Sequence, residues 1–261
     1  MTYYKEDRFS LLHGDCLTLL KKINSESVDM IFADPPYFLS DGSITCNNGK
    51  MVSVKKASWD QKKEFDDKLQ FHHSWIKECR RVLKPNGTIW ISGTYHSIYL
   101  CGYELQIQDF RIINDICWFK PNAPPNLTRK CFTASHETLI WAIKDKDGKQ
   151  FFNYDLMRSG SWENDKLKSP GKQMRSVWSL VSSRKSEKKW GRHPTQKPLS
   201  LLKRIVLAST KEGDLILDPF NGSGTTGIAS YELNRKYIGI DIEEEYLKLT
   251  LKRLNEKKND I

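Results

Sequence analysis

Val28-Asp29-Met30-Ile31-Phe32-Ala33-Asp34-Pro35-Pro36-Tyr37 is the stretch from which the rest of the chain can be read. A short apolar run of this kind suits a buried strand of a parallel sheet, covered on both faces. A second run, Asp214-Leu215-Ile216-Leu217, leads into Asp218-Pro219-Phe220-Asn221-Gly222-Ser223-Gly224-Thr225-Thr226. Both turns then stand at the carboxyl ends of strands, where open α/β sheets bind their ligands.

Working outward, strand and helix alternate in βαβ fashion. Phe9–His13 reads as a strand and Cys16–Leu20 as the start of a helix. Ser40 to Lys50, rich in Gly and Asn, reads as a loop beside the Asp34 turn. Apolar positions between Phe65 and Leu83 fall on one helical face, and Lys84-Pro85-Asn86-Gly87 reads as the turn that stops it. Strands are expected at Thr88–Gly93, Arg111–Trp118 and Glu137–Ala142, with a helix around Ser97 to Gln108. From about Lys144 to Arg192 the rhythm breaks, with repeated Ser, Gly and Lys and scattered aromatics. Beyond it come a helix (Leu199–Ala208), a strand (Leu215–Asp218), a helix (Thr225–Asn234), a strand (Tyr237–Ile240) and a last helix (Glu243–Glu256). The expected organisation is residues 1–143 as one half of an α/β domain, 144–192 as an insert, and 193–261 as the other half.

The 261 residues carry a net charge of +10, which points to a polyanionic partner, with nucleic acid foremost. Residues 144–192 hold 13 Lys and Arg against 6 Asp and Glu, so that segment is the expected contact region. Six cysteines without a C-x-x-C pair suggest neither zinc nor a disulfide framework, and a reducing cytoplasm is the simplest reading. No apolar stretch approaches the roughly 20 residues a membrane helix needs.

Gly222 and Gly224 permit a tight turn whose backbone can approach a ligand. Thr225-Thr226 then opens a helix whose free N–H groups attract a carboxylate or phosphate. Asp241, ending the next strand after Gly239-Ile240, can accept hydrogen bonds from ribose hydroxyls. Together these specify an adenosine-type cofactor. The turn lacks the G-x-G-x-x-G spacing and a Gly-Lys-Ser/Thr, which disfavours NAD and ATP.

With these motifs in place, the chain resembles the S-adenosylmethionine-dependent DNA adenine-N6 methyltransferases, in the permuted β-group order of the amino-methyltransferases of restriction-modification systems. The resemblance rests on Gly14-Asp15, Asp34 to Tyr37, His193-Pro194-Thr195-Gln196-Lys197-Pro198, Asp218 to Thr226 and Asp241, and covers nearly the whole chain. It implies a Rossmann-like class I methyltransferase fold, with a mostly parallel seven-stranded sheet, helices on both faces and a target-recognition insert. It also implies that Asp15 and Cys16 lie against the cofactor adenine and that Asp241 binds the ribose. Lys197, Ser223 and Thr225 would lie near the methionine end, with Asp34, Asp218, Pro219, Phe220, Gly222 and Gly224 completing the cofactor set.

The exocyclic amine of adenine is a poor nucleophile because its lone pair is delocalised into the ring. The Asp34 carboxylate and the Pro35 carbonyl can each accept one of its N–H groups, with Pro35 and Pro36 stiffening the turn and Tyr37 stacking on the base. Direct transfer needs no metal, and the base must leave the helix to reach the pocket. An initial Asp, where N4-cytosine enzymes more often carry Ser, favours adenine; N4-cytosine or RNA methylation and a catalytically silent DNA-binding partner are the alternatives. Arg158, Arg175, Arg184, Lys185, Lys188, Lys189 and Arg192 are the expected phosphate contacts, with interleaved Trp and Tyr beside the extruded base. DNA is the expected partner, a restriction endonuclease a functional one, and a homodimer is consistent with the resemblance. Phe38 reads equally as pocket wall or core.

Overall fold

The computed structural model describes residues 1–38, 44–47, 50–53, 64–162, 172–191 and 193–259. The chain opens with a half-buried edge strand β1 (Thr2–Lys5), followed by β2 (Phe9–His13), helix α1 (Cys16–Leu20) and β3 (Val28–Ala33). Asp15 starts α1 by accepting the Thr18 N–H at 3.0 Å, the usual service of an N-cap carboxylate. Part of the stretch read as a loop after Tyr37 is instead a two-stranded antiparallel ribbon, β4 (Ile44–Asn47) with β5 (Lys50–Ser53); Ser40 to Ser43 lie outside the described residues.

Helix α2 (Phe65–Val82) follows, and β6 (Leu83–Gly93) begins where it ends. Lys84 to Gly87 therefore do not form a free turn between elements. They bulge within β6, whose pairing shifts from Val28 opposite Leu83 to Met30 opposite Thr88. Then come α3 (Ile98–Ile107), β7 (Arg111–Phe119), β8 (His136–Ile143), α4 (Tyr154–Ser159), β9 (Val177–Ser179), α5 (Leu199–Ser209), β10 (Leu215–Asp218), α6 (Thr225–Glu232), β11 (Lys236–Asp241) and α7 (Glu244–Asn259).

Among the described residues the main sheet has nine strands, in the order β1-β2-β11-β10-β3-β6-β8-β7-β9. Seven of them make the expected sheet. β2, β11, β10, β3 and β6 pair in parallel, and β8 runs antiparallel between β6 and β7. The two additions sit at the edges: β1 antiparallel on β2, and β9 parallel on β7.

Successive side chains of each strand point to opposite faces, and both faces are covered. Met30, Phe32 and Ile216 pack with Leu201, Ile205, Ile228 and Leu247 of α5, α6 and α7. Ile31, Ala33 and Leu217 pack with Leu19, Trp75, Ile76 and Leu105 of α1, α2 and α3. Each such buried aliphatic or aromatic group contributes about 1.5–3 kcal/mol over leaving it in water, which is why these strands tolerate almost no polar residue.

This topology places the site. From β3 the chain winds through α2 to β6 on one side; from β10 it winds through α6 to β11 on the other. The strand order reverses between β10 and β3, which pair through Ile216–Met30 and Leu217–Ile31. The Asp34 and Asp218 turns leave from adjacent strands at that switch point, where a crevice opens.

Candidate active site

A cavity of about 360 Å³ lies there. Its wall includes Asp34, Pro35, Pro36 and Tyr37 on one side and Pro219, Phe220, Gly222, Ser223 and Thr225 on the other, with Asp15 and Cys16 at one end and Lys197, Asp218 and Asp241 completing it. Every expected catalytic and cofactor residue but one thus borders a single space. Gly224 does not. It caps α6 in the left-handed region (φ 71°), and a Cβ there would sit 2.4 Å from the Thr250 side chain.

The turn after β10 is held from behind. Asp218 accepts the Phe220 N–H at 3.0 Å and the Thr226 hydroxyl at 2.6 Å, while Arg253 of α7 donates to the Ser223 carbonyl at 2.6 Å and to Thr225 Oγ1 at 2.9 Å. Asp241 accepts the Gly222 N–H at 2.7 Å and the Glu243 N–H at 2.9 Å. Burial pushes both carboxyls up to about 7; hydrogen bonds from Thr226 and Phe220 oppose the shift at Asp218, as the Glu243 and Gly222 amides do at Asp241. Burial drives the Cys16 thiol to about 12, so it is an inert wall group. His193, opposite Gly222 and edge-on to Tyr246, is brought down to about 3 by burial and by Lys197, and stays neutral.

The Asp34 side carries more polar structure than its sequence suggests. Tyr37 Oη donates to Asp34 Oδ1 at 2.6 Å, and the Lys197 ammonium, 5% exposed, is bonded to Asp34 Oδ2. Lys197 also donates to Tyr37 Oη at 3.2 Å and stands 3.5 Å from Glu137 Oε2. Glu137, on β8, is bonded through Oε1 to Lys120, and Ser92 Oγ donates to Oε2 at 3.3 Å. Burial works against ionisation of Glu137, but Lys197 and Lys120 outweigh it and bring the carboxyl to about 2. Burial raises Asp34; Lys197 opposes that shift and Glu137 adds to it. Lys197 is raised, because Asp34 and Glu137 overcome its desolvation. Glu137 and Lys120 escaped the sequence reading. The available signal was a carboxylate in an otherwise apolar strand, Glu137-Thr138-Leu139-Ile140-Trp141-Ala142-Ile143.

Phe38 belongs to the core. Its ring packs edge-on against Phe71 (5.7 Å) and His72 (5.9 Å), and its backbone takes the left-handed conformation (φ 55°).

The DNA methylase family profile matches residues 28–252. The chain belongs to that family. It is 52% identical over 254 residues to the Type II methyltransferase M2.LlaDCHI of Lactococcus lactis subsp. cremoris, covering 97% of this chain and 91% of the relative. It is likewise 52% identical over 253 residues to the Type II methyltransferase M2.DpnII of Streptococcus pneumoniae, with the same coverages. Among solved structures it resembles the M1.HpyAVI–SAM complex at 29% identity and a TM-score of 0.68, over 95% of this chain and 99% of that one.

In a DNA methylase the rim of the cavity matters as well as its interior. Arg158, Arg175, Arg184, Lys185 and Lys189 are exposed and Lys188 is half-buried, while Arg192 lies outside the described residues. Lys185 to Lys188 form a short 3-10 turn beside the cavity, tied to the cavity-lining Gln196 through the Glu187 carbonyl at 2.9 Å. Lys189 is paired with Glu256 of α7. Of the interleaved aromatics Trp178 is buried, Phe151 and Trp162 are half-buried, and Phe152, Tyr154 and Trp190 are exposed; Trp178 and Trp162 pack on the Arg204 guanidinium at 4.1 and 5.1 Å, and Phe152 packs on Trp141. Their apolar surface holds the segment onto α5 and β8. Lys144 and Lys146 pair with Glu26 and Asp109 near the starts of β3 and β7, at the opposite end of the strands from the cavity. Among the described residues no helix is long and apolar enough to cross a membrane.

Proposed function

We propose that this DNA methylase transfers a methyl group from S-adenosylmethionine to the N6 amine of adenine in DNA, as the modification enzyme of a restriction system. The observation that carries the reading is the single cavity with the Asp34 turn on one wall and the Gly222 turn on the other. Segment 144–192 would serve as the target-recognition insert, with a restriction endonuclease as functional counterpart. A cytoplasmic location and a homodimer remain part of this reading.

The residues fit the cofactor. An ionised carboxylate offers about four acceptor sites; Asp241 uses two on backbone N–H groups and retains capacity for two ribose hydroxyls. Gly222, at φ 50°, leaves the wall without a Cβ beside His193. Three carboxylates, the half-buried Asp34 and the buried Asp218 and Asp241, border the space, and Lys197 pairs with Asp34, leaving a field suited to a positively charged ligand. When bound, S-adenosylmethionine supplies a methyl group already activated on a sulfonium.

The protein's own part is alignment. Asp34 accepts one N–H of the extruded base and the Pro35 carbonyl accepts the other, which localises the nitrogen lone pair and aims it across the cavity. Asp34 orients rather than deprotonates, since the amine loses its proton readily once methylation has made it cationic. Apolar walls, including Phe71 and Phe220, keep water out.

Incubation with methyl-labelled S-adenosylmethionine and DNA, followed by digestion to nucleosides, tests the proposal. Label in N6-methyldeoxyadenosine is expected; label in N4-methyldeoxycytidine would reassign the base, and none on any DNA would refute the activity.

A further inference from the structure

Asp34 in the ligand-free protein is already engaged: Tyr37 holds Oδ1 and the Lys197 ammonium holds Oδ2. Asp34 keeps lone pairs for an amine N–H, but a carboxylate neutralised by a bound ammonium is a weaker acceptor, so the amine is held more firmly if Lys197 loosens its grip. Tyr37 has its shorter bond to Asp34, and its hydroxyl is 3.5 Å from Glu137. Lys197 is buried, and an ammonium that left Asp34 for an apolar wall would be prohibitively costly. It has a destination, because Glu137 Oε2 stands 3.5 Å from Nζ, so a displacement of about 1 Å would make a direct charged hydrogen bond.

Glu137 is built for that use. Lys120 holds its Oε1, and the Lys120 ammonium rests on the Trp118 ring at 4.5 Å, whose indole is fixed by the Leu180 carbonyl at 2.8 Å. Ser92 steadies Oε2. The charged groups facing one another are Asp34 after β3, Lys120 after β7, Glu137 on β8 and Lys197 before α5, with Asp218 on β10 beyond Asp34. Within the first four, two carboxylates balance two ammoniums whichever partner Lys197 takes, so its transfer leaves the net charge of the buried cluster unchanged.

We propose that Glu137, anchored by Lys120, is a positioning residue that receives the Lys197 ammonium as Asp34 takes up the target amine. The inference rests on the function proposed above. The glutamate acts through the lysine and touches neither substrate nor cofactor.

The test uses the full chain and compares wild type with Glu137→Gln and Lys120→Met. Single-turnover methyl transfer should fall by at least about tenfold in Glu137→Gln, while the Kd for S-adenosylmethionine and the KM for DNA stay within about threefold. The acid limb of the rate profile should move down in pH in Glu137→Gln, which removes a carboxylate competing for Lys197. It should move up in Lys120→Met, which leaves two carboxylates sharing one ammonium. A purely structural role would not shift the two in opposite directions. Independently of turnover, the Nζ resonance of Lys197 in 15N-lysine-labelled protein, saturated with S-adenosylhomocysteine, should move on addition of adenosine in wild type and remain still in Glu137→Gln. Unchanged transfer in both variants, parallel shifts of the acid limb, or an Nζ response that ignores Glu137 would each overturn the proposal. If Glu137→Gln fails to fold, Lys120→Met decides: a raised acid limb supports the exchange and an unmoved one refutes it. Absence of transfer by wild type alongside an intact Nζ response would refute the proposed function and leave the lysine exchange standing.

Discussion

Lowering the pH from 8 to 6 should weaken S-adenosylmethionine binding through Asp241. Burial holds this carboxyl at about 7 in the ligand-free protein, although it lies 9% exposed and accepts two backbone N–H bonds. Ribose hydroxyls and a cationic ligand both favour the ionised form, so binding should release a proton when it begins from the protonated one. The direction follows: affinity is full above pH 7 and declines as pH falls through it. A group of pKa about 7 goes from roughly 90% to roughly 10% ionised between pH 8 and 6, a loss of about tenfold in affinity, or about 1.3 kcal/mol. Asp218, also raised to about 7, faces the same cavity, so full coupling of both would approach about 100-fold. His193, brought down to about 3, stays neutral throughout and contributes no slope. Calorimetric titration at pH 6, 7 and 8, in buffers of different ionisation enthalpy, measures affinity and proton release together. Asp241→Asn should bind more weakly and lose about tenfold of the pH dependence. An affinity flat from pH 6 to 8, or a slope untouched in Asp241→Asn, would refute the reasoning.

Gly224→Ala should destabilise the fold by roughly 2–4 kcal/mol, combining the left-handed backbone cost with a Cβ driven onto Thr250; urea unfolding would show it, and an unchanged midpoint would contradict it. Arg184→Gln and Lys185→Gln, on the exposed turn beside the cavity, should each weaken DNA binding and reduce the salt dependence by about one unit of slope. Cofactor affinity should be unaffected. Fluorescence anisotropy across a salt series measures this, and an unaltered slope would remove the residue from the DNA face.

The central strands were legible because burial on both faces demands continuous apolar runs, and β3, β10 and β11 carry them. The two turns were legible because proline fixes the backbone and glycine frees it in ways few other residues can. The edge strands were not: β1 is short and half-buried, and β9 has three residues whose pairing depends on β7 lying beside them. Lys84 to Gly87 have turn chemistry, and it produces a bulge because Val28 pairs with Leu83 before them. Within the basic segment, two of the aromatics are engaged by a residue of α5. Trp162 and Trp178 look like exposed platforms in the sequence, yet Arg204, fifty or fewer positions away, provides the cation they cover. The Asp34–Lys197–Glu137–Lys120 cluster joins four separate parts of the chain, and spacing along a sequence carries no trace of such a meeting.

The most direct measurement pairs cofactor affinity with methyl transfer in Asp34→Ala. The carboxylate is assigned to the amine rather than to retention of the cofactor, so calorimetry should give an S-adenosylmethionine Kd within a few-fold of wild type while single-turnover transfer to DNA falls below detection. Transfer persisting near the wild-type rate, or cofactor affinity lost along with it, would contradict the account.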